Sequence, residues 1–264
     1  MANYSAKDVS TLRQMTGAGM LDCKKALDET DGDIEKAAQL LREQGKAGAA
    51  KRSDREASEG AVTAVRSGDA AAVVELRCET DFVAKSAEFV ALADELAALV
   101  AGKGEEAVSE LDDEIDNLRS TLKENISVGR VRRLVAEAGQ VVDTYLHQQA
   151  GRGVNAVAVV LEGGTDELAH DIAVHIAFAK PAYLSRDEVP ADEVAAERAT
   201  LETISRNEGK PEAALEKIVE GRMNGWYKER VLLDQSYVRD EKQSIASMLG
   251  SARIVAFAQV VVGA

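Results

Sequence analysis

The spacing of apolar residues changes several times along the chain. Over 5–44 they recur at intervals of three and four, the period of short helices. Val9 and Leu12 mark one helix behind Ser5, and Leu21, Ala26 and Leu27 a second after the breaker Gly17-Ala18-Gly19. Ile34, Ala37, Ala38 and Leu41 predict a third, capped by Asp31 or Asp33 and ending at Gly45. The next stretch, GKAGAAKRSDREASEG (45–60), has no apolar stripe and reads as a linker. Its cluster Lys46, Lys51, Arg52 and Arg55 reads as solvated rather than as an anion site.

From residue 60 the pattern is that of strands. AVTAVRSGDAAAVVELRCE predicts a hairpin turning at Ser67-Gly68-Asp69. A helix over 83–101 follows, with Phe89, Leu92, Leu96 and Leu99 on one face, and another over 112–126 with Ile115, Leu118 and Leu122. Three strand-like runs come next. The third, GVNAVAVVLEG, is almost wholly apolar and should be central in its sheet. TDELAHDIAVHIAFAK predicts a helix ending at Pro181. Two charged helices over 187–230, punctuated by Gly209 and Pro211, predict an antiparallel hairpin, and SARIVAFAQVVVGA one last strand. Strands and helices in blocks point to an α+β fold.

Composition narrows the chemistry. Hydrophobic residues make up 45% and aromatic ones only 4%, so the core should be Ala, Val, Leu and Ile. No run approaches the roughly 20 apolar residues of a membrane span. The start, MANYSAKDVS, lacks a secretory apolar segment, so a cytoplasmic protein is expected. Cys23 and Cys78, the only two cysteines, form neither a CxxC pair nor a disulfide framework. His147, His170 and His175 have no metal-binding spacing, and neither a metal nor a cofactor is expected. The net charge of −14 falls entirely after residue 57, where 22 Lys/Arg stand against 36 Asp/Glu; the first 57 residues carry ten of each. An acidic body disfavours nucleic acid as the main ligand. Gly17–Asp22 lacks the third glycine of a dinucleotide fingerprint, and no phosphate loop or GxSxG elbow is present. Asp112–Asp113 reads as solvated. An interaction protein fits better than an enzyme.

Several long motifs, in order, carry a resemblance. They are LRQMTGAGMLDCKKALDETDGDIEKAAQLLREQG, ETDFVAKS, AHDIAVHIAFAKP, GKPEAALEKIVEGRM and LLDQSYVRDEKQSI. The chain resembles the elongation factor Ts family, the guanine-nucleotide exchange factors of elongation factor Tu. The resemblance implies a three-helix module similar to ubiquitin-associated domains over 1–45 and a linker over 46–57. It implies a core with antiparallel sheets in two subdomains, 58–140 and 141–186 with 231–264, and a coiled-coil-like helical hairpin over 187–230. The implied partner is elongation factor Tu, GDP-bound and nucleotide-free, with no nucleic acid or membrane contacted directly. A homodimer through the hairpin or the core is left open. Some family members continue into a further helical module that adds a contact; this chain ends at VVVGA, so that contact is expected to be missing.

The resemblance also implies residue roles. Phe82 would be a wedge entering a crevice in the partner, with Asp81 directing it and Thr80 and Val83 completing the segment that disturbs the Mg²⁺ and phosphate site. Lys24, and after it Arg13, would be the cationic contacts of the first module. His147, Val238 and Arg239 would reach another domain of the partner, and Leu122 with Lys123 would stand at a further contact position. Periodicity reads Phe82 differently. Positions 82, 89, 92, 96 and 99 share one stripe if a single helix begins at Asp81, and Phe82 is then a core residue. A ubiquitin-associated-like module on a scaffold or chaperone, without exchange activity, is the alternative function.

Overall fold

The computed structural model describes residues 3–50 and 52–264, without the side chains of 46, 47, 49 and 50. It opens with three helices, α1 (Ala6–Thr16), α2 (Met20–Glu29) and α3 (Ile34–Ala50). Ser5 closes a capping box with Asp8 at the head of α1, and the Asp33 carboxylate accepts the Lys36 N–H (3.1 Å) at the head of α3. Leu12, Cys23, Ala26, Leu27 and Ala37 form a small buried cluster between the three helices.

α3 does not stop at Gly45 but runs to Ala50, into the expected linker. Gly45 serves close packing instead of a helix end. A Cβ there would lie 2.5 Å from Ser120 Oγ, on a helix that α3 crosses. Of the expected basic cluster, Lys51 and the Lys46 side chain lie outside the described residues. Arg52 donates to the Arg119 carbonyl (3.1 Å) and Arg55 faces Glu79 at 3.5 Å.

Two antiparallel three-stranded sheets follow. The first has the order β1 (Glu59–Ser67), β2 (Ala70–Cys78), β3 (Ser127–Val135). Between β2 and β3 come α4 (Asp81–Ala84), α5 (Ala87–Lys103), a 3-10 turn and α6 (Asp112–Leu122). The second sheet has the order β4 (Gln140–Gln149), β5 (Arg152–Glu162) and β8 (Arg253–Val261), so β5 is central as its sequence predicts. Alternation along β2 and β5 builds the layers. Ala72, Val74 and Leu76 face α5, whereas Ala71 and Val73 meet Ala156, Ala158 and Val160 of β5 between the sheets. Val157, Val159 and Leu161 of β5 face α7 (Asp166–Ala179). The core is thus helix, sheet, sheet, helix, with a thin Ala/Val seam at its centre.

Helices α8 (Ala191–Asn207) and α9 (Glu212–Arg230) form the expected hairpin, zipped by Leu215, Val219 and Met223 against Val194 and Leu201. Its two roots are tied together. The Ala182 and Tyr183 N–H groups donate to the Arg230 carbonyl, and Leu232 N–H to that of Tyr183. Arg186 lies over the Tyr227 ring at 4.4 Å and pairs with Asp234 at 2.7 Å. A short hairpin, β6 (Ser236–Tyr237) and β7 (Asp240–Ser244), and α10 (Ile245–Leu249) complete the fold before β8. The sequence pattern shows none of these three, because each is too short to establish a period. Among the described residues no helix is long and apolar enough to cross a membrane.

Candidate functional site

The corner between β2 and α5 carries the segment Thr80–Val83. Phe82 is 83% exposed there, the most exposed of the large hydrophobic residues described. The single helix that periodicity suggests is broken. α4 ends after Ala84, Ser86 is extended (φ −67°, ψ 146°), and α5 starts again at Ala87 under a Ser86 cap. The restart separates the phase of Phe82 from the buried stripe Phe89, Leu92, Leu96 and Val100.

The corner is pinned from beneath. Thr80 Oγ1 accepts the Val83 N–H (3.3 Å), and its hydroxyl donates to Glu124 Oε1 (2.6 Å). The other Glu124 oxygen accepts the N–H groups of Glu79 (3.0 Å) and Thr80 (3.1 Å). Glu79 Oε1 in turn accepts the Asn125 N–H at 2.7 Å. The Cys78 thiol donates to the Thr80 carbonyl (3.2 Å), and burial raises its pKa to about 12. Ala84 is buried and Val83 half-buried against the α5 core. Asp81 pairs with Lys85 one turn on, at 2.5 Å; the Lys85 hydrogen bond holds its carboxyl below the ordinary aspartate range. Thr80 and Val83 are therefore engaged within the corner by hydrogen bonding and packing, and Phe82 is the large apolar side chain that projects from it. A rigid apolar ring on an anchored turn can enter a crevice.

Lys24 and Arg13 are both exposed, and neither forms an ion pair within 4 Å among the described residues. Lys123, at φ 59°, closes α6 and pairs with Asp22 of α2 at 2.8 Å. This contact binds the first module to the loop that also holds the corner. Leu122 packs inward against the first core.

His147 is exposed near the end of β4, opposite Asn155 of β5. Arg152, just past the β4–β5 turn, reaches Glu59 at 2.8 Å, and Glu59 is the register partner of Cys78. The His147 end of the second sheet and the Phe82 corner therefore lie at one end of the core. α7 reaches that end as well, since Asn155 Nδ2 donates to the Ala177 carbonyl at 2.7 Å. Val238 is half-buried in the β6–β7 turn, and its N–H donates to His175 Nδ1 (3.3 Å). Arg239 is exposed but paired with Asp171 at 2.7 Å.

Two residues outside the sequence-derived site support it. His175 is fully buried, with Nε2 on Gln235 Oε1 at 2.9 Å. Accepting from Val238 and donating to Gln235 requires the neutral Nε2–H tautomer. Burial, outweighing the Gln235 bond, lowers its pKa below the ordinary 6.5. Glu124 is the second; its only trace in the sequence is an acidic residue just after a helix end. Phe178, near the end of α7, is a second exposed ring at 77%. Among the described residues no group of acidic, histidine and cysteine side chains is placed to hold a metal.

Comparison with known proteins adds the family. The model of the family described as Elongation factor TS matches residues 79–264. Elongation factor Ts of Clavibacter michiganensis subsp. michiganensis is 48% identical over 278 residues, covering 100% of both chains. That of Renibacterium salmoninarum is 46% identical over 281 residues, and that of Kineococcus radiotolerans 43% over 278, each again over the full length of both chains.

Proposed function

The chain belongs to the elongation factor Ts family, and from that premise we propose that Phe82 is the residue through which it works. It is the guanine-nucleotide exchange factor of elongation factor Tu in translation elongation, and it carries out no covalent chemistry. It binds elongation factor Tu and works in the cytoplasm. A scaffold without exchange activity does not agree with this membership.

Exchange needs no contact with the nucleotide. GDP is held on such a GTPase by backbone donors and a phosphate-bound Mg²⁺. A protein that binds better to the state with a disturbed phosphate site weakens GDP, and by linkage GDP weakens it by the same factor. GTP then reverses the step and releases the factor. The exposure of Phe82 on a fixed corner is the observation that carries this reading. A phenyl ring is rigid and buries a large apolar area, and a close-packed receiver must move to admit it. Its burial is worth about 1.5–3 kcal/mol, roughly ten- to a hundredfold in coupling.

The remaining contacts share the load. Lys24 and Arg13 offer exposed cations on the first module, and His147 and Val238 offer a second contact region. Arg239, already paired with Asp171, fixes the turn that presents Val238. We read the three-helix module as ubiquitin-associated-like, on its short helices and compact Leu/Ala/Cys cluster. The remaining domains are read as two subdomains, one per sheet, with the coiled-coil-like hairpin inserted in the second.

The experiment is stopped-flow release of fluorescent GDP from elongation factor Tu. Micromolar wild-type protein should accelerate release strongly, and Phe82→Ala should lose roughly tenfold or more of that acceleration with its melting temperature unchanged. A Phe82→Ala protein that exchanges at the wild-type rate would refute the wedge.

A further inference from the structure

Glu124 lies in the α6–β3 loop, outside every residue assigned above to the partner. Its carboxylate accepts three hydrogen bonds, two from the Glu79 and Thr80 N–H groups and one from the Thr80 hydroxyl. β2 ends at Cys78 and α4 begins at Asp81. Glu79 and Thr80 have therefore left the strand ladder without entering a helix, and Glu124 supplies the acceptor their amides would otherwise lack. The bonds are charge-assisted and converge on the root of the turn that carries Phe82.

The adjoining residues extend the grip. Asn125 Nδ2 donates to the carbonyls of Ser53 (3.1 Å) and Arg55 (2.7 Å). Lys123 pairs with Asp22, two residues before Lys24. Three consecutive side chains thus hold the first module, the segment leading into β1, and the corner.

We propose that Glu124 is the positioning residue of nucleotide exchange, fixing the angle at which Phe82 projects. The inference rests on Phe82 being the wedge. A ring on a loose corner can still meet the partner, but it yields under load instead of displacing the receiver. Loss of Glu124 should therefore act on the distorted state more than on the encounter.

The test uses the full chain and GDP release measured across a range of factor concentrations. In Glu124→Gln the maximal rate should fall about tenfold, as expected for a lost charge-assisted grip, with the half-saturating concentration little changed. In a Phe82→Ala background the same substitution should change nothing further. Hydrogen exchange of the Thr80 amide in the free protein should quicken. If Glu124→Gln folds poorly, Glu124→Asp, whose shorter side chain draws the carboxylate away from the Glu79 and Thr80 amides, is read in the same way. Glu124→Gln exchanging normally while Phe82→Ala is slow would overturn the positioning role and leave the wedge standing. Equal losses with and without Phe82 would mark Glu124 as merely structural. A normal Phe82→Ala protein would remove the wedge, and this inference with it.

Discussion

Phe82 and Phe89 are seven residues apart, nearly two helical turns, yet one ring is 83% exposed and the other fully buried. The two phenylalanines should respond in opposite ways. Phe89→Ala should cost about 3–5 kcal/mol by urea unfolding, whereas Phe82→Ala should leave the midpoint unmoved. Sequence periodicity favours burial for both rings, because it has no means of seeing that Ser86 restarts the helix. The clue was local: a serine three residues before Phe89, placed to cap it. Lys24 and His147 are exposed, as partner contacts must be, but their residue types alone do not tell a contact from a solvated side chain. His175 brings pH into the behaviour of the Val238 turn. Its folded pKa lies below the ordinary 6.5 of the unfolded imidazole. Above that value both states are neutral and it contributes no slope. As pH falls through it, the unfolded chain takes up a proton that the folded one refuses, and stability declines by at most about 1.4 kcal/mol per pH unit. Melting temperatures between pH 7.5 and 5.5 should show this component, and His175→Gln should lack it.

At the scale of elements, the interesting boundaries are those the apolar pattern misplaces. Glycine after a helical stripe usually ends the helix, and the pattern predicts that end at Gly45. It is instead a packing residue, because its missing side chain lets α6 approach α3. That contact joins distant parts of the chain, and no local pattern encodes it. Helix propensity alone predicts that Gly45→Ala stabilises α3 by about 1 kcal/mol. The approach of Ser120 predicts the reverse, a lower melting temperature partly restored by a second change, Ser120→Gly. The helical hairpin was legible because Gly209, Pro211 and the charged faces are local signals. Its rigid root was not. It depends on Arg186 reaching Tyr227 and Asp234, residues more than forty positions away.

At the scale of the whole molecule, the two sheets meet through a seam of small side chains. Ala156 and Ala158 are fully buried there, and the spacing between sheets is set by methyl and isopropyl groups. Ala158→Leu should therefore destabilise by about 1–3 kcal/mol through overpacking, seen as a lower urea midpoint. The aromatic-poor composition announces such a core, and the apolar run of β5 announces its central strand. Which sheet face meets the helix and which the other sheet follows only from the pairing. The two cysteines add one more consequence. Cys23 is sealed inside the three-helix cluster and Cys78 beneath the Phe82 corner, each fully buried. A thiol so enclosed reacts only while its surroundings are open, so each labelling rate counts openings of one region. Alkylation followed by peptide mass mapping should give two independent clocks on the same chain, one for the first module and one for the corner. Partner binding should slow the second if the corner is where the two proteins meet.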